Sequence, residues 1–188
     1  MSNVLEAFKS ARQRINPEGL LVSGACSYVS PAVMIPLEAG LTYAVHELAK
    51  DTDPNLLKIG VIGALAVANA VSVITESKAL QRREYSASPV ASALNILTER
   101  PLISSITGHL VNYAGLSVVN PINLAAIATE NNKLLVESAA STSFALTLWF
   151  TSMNTLITRG KIQPVVDKMK TTRQLIMKMF NNRSIKPE

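Results

Sequence analysis

Glu38 follows Pro36 at the end of a long apolar run, and that setting makes its carboxylate the most chemically pointed feature of this chain. Inside a hydrocarbon layer a carboxylate costs at least ~2.5 kcal/mol and must find a partner, water or a proton. Suitable partners lie later in the sequence, where His109, Asn112, Asn120 and Asn123 stud another apolar stretch. A helix broken at Pro36 would free backbone carbonyls and line a cavity. The residue types therefore predict a polar pathway between the first and third apolar stretches. In it Glu38 binds a cation or a proton and the histidine and asparagines line the way. The competing expectation is structural: Glu38 reaches water at the outer surface, and the asparagines join helices by hydrogen bonds.

No other pattern carries chemistry. The sequence has no phosphate-cradling G-x-x-x-x-G-K-[ST], no G-x-G-x-x-G, no H-E-x-x-H and no G-x-S-x-G. His46 and His109 are the only histidines, and neither has a carboxylate at helical metal-binding spacing beyond the adjacent Glu47. The single Cys26 excludes a disulfide framework and any multi-cysteine metal site. It follows too short an apolar run to be a lipidated signal cysteine, so a small buried side chain is expected. The expectation is no catalytic residue, no cofactor and no metal, with an enzyme the less favoured class.

The elements that must position these residues are set by charge. Residues 19–37, 59–75, 101–129 and 138–158 contain no Asp, Glu, Lys or Arg. Each approaches or exceeds the ~20 residues a helix needs to cross a ~30 Å hydrocarbon core. Of the 18 Lys and Arg, all but Lys50, Lys58 and Lys133 lie in the N-terminal tail, the second connection or the C-terminal tail. Basic flanks resist translocation, so the asymmetry predicts four transmembrane helices, near 19–45, 57–76, 101–128 and 136–158, with both termini cytoplasmic. Charged residues make up 16% of the 188, against about 25% in soluble proteins, and the mean hydropathy is +0.24. A soluble helical bundle is the alternative fold, but it has no reason to sort its basic residues by gap. The net charge of +5 flanks apolar spans without interleaved aromatics, which points to anionic lipid headgroups and away from nucleic acid.

The fold expected is all-α: one membrane domain with amphipathic interfacial helices at residues 2–15, at 86–100 and along the basic tail 162–188. Residues after 181 are expected to be disordered. Residues 19–78 can be laid over 104–161 as a parallel two-span repeat, with Tyr28 and Pro36 matching Tyr113 and Pro121 at the same interval. Two functional readings remain open. One is an oligomeric transporter or channel subunit, since four helices rarely enclose a path alone. The other is a non-catalytic accessory or scaffolding subunit of a larger membrane complex. A membrane-permeabilising protein is a third reading, supported only by size and the basic tail.

Overall fold

Prolines and short polar side chains punctuate the chain, and the helices begin where they fall. The computed structural model describes residue 6, residues 9–10 and residues 13–183. Its helices are α1 (Pro17–Ala49), α2 (Pro54–Arg83), α3 (Pro89–Thr98), α4 (Pro101–Val119), α5 (Pro121–Ala128), α6 (Asn132–Thr158) and α7 (Gln163–Arg183), and no strand occurs among the described residues. The first five each open on proline, whose missing N–H is unbonded at that position anyway. Side-chain oxygens of Asn16, Asp53, Ser88, Asn120 and Asn131 cap the free amides of α1, α2, α3, α5 and α6. The expected N-terminal amphipathic helix lies mostly outside the described residues. The tail is helical to Arg183, and residues 184–188 are also outside them.

Pro31 and Pro36 do not break α1, which runs without interruption through 33 residues. Both rings sit on the exposed surface, so their bulk displaces no packed neighbour. The expected gap at Pro36 is therefore absent. Pro121 behaves differently. Asn120 before it takes an extended conformation (ψ 117°), as a residue preceding proline prefers, and α4 and α5 meet at a 59° bend.

Two helices, α1 and α2, are long and apolar enough to cross a membrane, and α4–α5 makes a third if the bent pair is one span. Helix α6 has the length, at 27 residues, but is interrupted by Ser, Thr and Asn. It is the central element, touching α1, α2, α4 and α5. Its hydroxyls can sit there because many bond carbonyls one turn back: Ser141 to Glu137 (2.7 Å), Thr142 to Ser138 (2.9 Å) and Thr155 to Thr151 (2.7 Å).

The interior mixes buried polar side chains with an apolar cluster, and many large apolar side chains face outward. Among the described residues the buried side chains include Ser72, Glu76, Ser86, Ser105, Ser138, Ser141 and Asn154, all at 0% exposure. An apolar cluster of Val22, Cys26, Met34, Leu146, Phe150 and Ile157 accompanies them, with Trp149 packed against it. Outward, α2 presents Ile59, Ile62, Val67 and Ile74, and only 6% of its most apolar window is buried. In water each such side chain would forgo roughly 1.5–3 kcal/mol of burial. Helix α3 fully buries Ala91 and Ser92, half-buries Val90, Leu94 and Ile96, and exposes Leu97.

Candidate functional site

Three carboxylates are drawn into this interior, one from each of α1, α2 and α6. The most enclosed is Glu76, whose side chain is 0% exposed. Its Oε1 accepts from the Ser86 hydroxyl (3.0 Å), and its Oε2 accepts from the Ser105 hydroxyl (2.9 Å) and from His109 Nδ1 (3.0 Å). His109 Nδ1 also faces the Ser105 carbonyl at 3.2 Å. Two acceptors at one nitrogen assign the proton to Nδ1, leaving Nε2 to accept from the Ser72 hydroxyl at 2.6 Å. The Phe150 ring lies beside the imidazole, centroids 5.5 Å apart. Ser72 and Glu76 are one turn apart on α2, and Ser105 and His109 one turn apart on α4, so two i,i+4 faces meet.

Ser72–His109–Glu76 has the hydrogen-bond order of a nucleophile, base and orienting acid. Ser72 is fully buried, so no substrate reaches its hydroxyl in this arrangement. What the arrangement can do is hold a proton at His109 or pass one along a chain of hydroxyls.

Glu38 occupies a second cluster. Its Oε1 accepts from the Asn120 amide and the Thr142 hydroxyl, and the Asn120 amide nitrogen also lies 3.2 Å from the Ser138 hydroxyl. Asn120 Oδ1 meanwhile caps α5 through the Ile122 amide (2.8 Å). One side chain thus sets the α4–α5 bend and clamps the carboxylate. The third acid, Glu137 at the start of α6, pairs through Oε2 with His46 Nδ1 at 3.0 Å and is 4% exposed.

Polar bridges continue between these clusters. Asn69 of α2 donates to Ser143 (3.0 Å). Asn154 near the end of α6 accepts from the Ala87 amide (2.8 Å), and Ser23 donates to the Ser86 carbonyl (2.5 Å). From Glu137 to Asn154 the tract follows α6 for roughly 26 Å at 1.5 Å per residue. That nearly matches a ~30 Å hydrocarbon core.

Of the residues singled out from sequence, Glu38 and Asn120 are in contact. His109 instead bonds Glu76 and Ser72. Asn112 donates to Ser88 (2.8 Å), holding the turn before α3. Asn123, 2% exposed, donates to the Ser117 carbonyl (3.1 Å) across the bend. Sequence reasoning passed over Glu76 and Glu137 because each stands just outside a charge-free stretch and reads as an exit from it. The signal available was the i,i+4 pairing of Ser72 with Glu76 and of Ser105 with His109. No group of His, Cys, Asp and Glu among the described residues is arranged to hold a metal ion. No family model, curated protein or solved structure matches the chain.

Proposed function

We propose that this chain is a multi-pass membrane protein that works, as an oligomer, as a transporter or channel subunit moving protons or a small cation along its interior polar tract. In this reading α1, α2, the bent α4–α5 pair and α6 are four spans, and both basic termini lie in the cytoplasm. The observation that carries it is the burial of Glu38, Glu76 and Glu137 among hydroxyls and histidines inside an apolar exterior. Intramembrane carboxylates are expensive, and they concentrate where ions or protons pass. His46 and His109 are each hydrogen-bonded to one of the acids, so an imidazole stands beside two of the three carboxylates.

The second reading, an accessory or scaffolding subunit, is favoured by the enclosure of Glu76, both of whose oxygens are satisfied. The two readings part at Glu38. Glu38→Gln keeps an oxygen to accept from Asn120 and Thr142, so the fold should survive. In proteoliposomes carrying a proton or potassium gradient, the pathway reading expects flux through the wild type and at least a tenfold loss in Glu38→Gln. No flux from the wild type, with stable copurifying membrane partners, would establish the accessory reading instead.

A further inference from the structure

Glu137 has a feature the polar tract does not use. Its Oε2 is engaged by His46, but its Oε1 is buried without a hydrogen-bond partner. The Lys133 ammonium stands 3.9 Å from Oε1, close enough to feel the charge and beyond hydrogen-bond reach. The carboxylate forms part of the wall of a cavity of about 350 Å³ between the end of α1 and the starts of α2 and α6. Ala49, Leu57 and Val136 make its apolar sides, and Lys58 and Lys133 also line it. The chain has only three lysines in the first and third connections and their flanks, and two of them converge here.

This cavity offers three features together: a buried carboxylate oxygen lacking a donor, two lysines at exposed positions, and apolar walls, with Ile62 exposed one turn beyond Lys58 on α2. A ligand matching all three is zwitterionic and amphiphilic. The geometry points to a headgroup site for a phospholipid with a primary amine, of the phosphatidylethanolamine class. Its ammonium donates to Glu137 Oε1, its phosphate lies between Lys58 and Lys133, and its chains run down the apolar face of α2. A charge-assisted hydrogen bond to a buried carboxylate selects the primary amine over a quaternary one, which has no N–H to give. The assignment rests on the membrane reading above, since it places the helix ends at headgroup level.

The test uses the full chain reconstituted in discs of equimolar dioleoyl-phosphatidylethanolamine and dioleoyl-phosphatidylcholine, with retained lipid read by native mass spectrometry. The ethanolamine lipid should be retained about tenfold over the choline lipid. Glu137→Gln should bring the two to parity. Lys58→Ala with Lys133→Ala, both at exposed positions that leave the core intact, should lower retention of both lipids, because both carry the phosphate. Equal retention by the wild type, or a preference that survives Glu137→Gln, would overturn the assignment. Saturable binding of free L-leucine to lipid-depleted protein, competing with the headgroup, would overturn it in favour of a soluble zwitterion. Release of the chain from membranes by carbonate would remove the membrane reading itself. Firm integration without lipid preference would remove only this site.

Discussion

Glu76 accepts hydrogen bonds from Ser86, Ser105 and His109 in a fully buried site. Removing the carboxylate takes the shared acceptor from all three donors and leaves each only a backbone carbonyl, that of Ser88, Val73 or Ser105, so Glu76→Ala should destabilise the protein by about 1–3 kcal/mol. Glu76→Gln should cost less, because its amide oxygen still accepts while its amide nitrogen opposes one donor. Urea unfolding in mild detergent, followed by helical signal, checks both, and an unchanged midpoint in Glu76→Ala would show that the network carries no stability. The sequence made Glu38 legible, since an acid beside proline at the end of an apolar run stands out. Its partner Asn120 was legible as one of several asparagines. The Glu76 site was not, because its parts come from four places in the chain and only tertiary packing puts Ser86 of a turn beside α2 and α4.

Helix α3 rests on α4 through a contact that leaves no room for a side chain. A Cβ at Gly108 would stand 2.7 Å from the Ala91 Cβ and 3.1 Å from its backbone. Backbone cannot retreat as a flexible side chain can, so Gly108→Val should separate the two helices and loosen the Ser88–Asn112 bond beside them. A loss of roughly 1–3 kcal/mol is expected, with faster hydrogen exchange confined to α3 and its neighbours. Exchange spread evenly over the molecule would argue against this local account. Asn120→Ala should act at the bend, removing the α5 cap and a donor to Glu38 together, for about 1–3 kcal/mol. The beginnings of the helices were legible because proline and a capping side chain mark them. The continuity of α1 through Pro31 and Pro36 was not, since proline signals a break whether or not its ring faces a packed neighbour. The buried face of α3 also escaped sequence reading: its most buried residues are the small Ala91 and Ser92, with Val90, Leu94 and Ile96 only half-buried.

Across the described residues many large apolar side chains face out, while Ser, Thr, Asn and Glu side chains are buried along α6 beside an apolar cluster. All-α architecture and the apolar lengths of α1 and α2 were legible from charge-free runs alone. The centrality of α6 was hidden, because its Ser and Thr lower its hydropathy and satisfy themselves on carbonyls one turn back. The proposed four-span arrangement predicts where each connection emerges, and labelling of single cysteines tests it most directly. On a Cys26→Ala background, a membrane-impermeant maleimide applied to intact cells should label Thr52→Cys and Asn132→Cys, both exposed between spans. Gln81→Cys and Lys178→Cys, also exposed, should react only after the membrane is opened. Labelling of Gln81→Cys or Lys178→Cys in intact cells, or protection of Asn132→Cys until permeabilisation, would contradict the account.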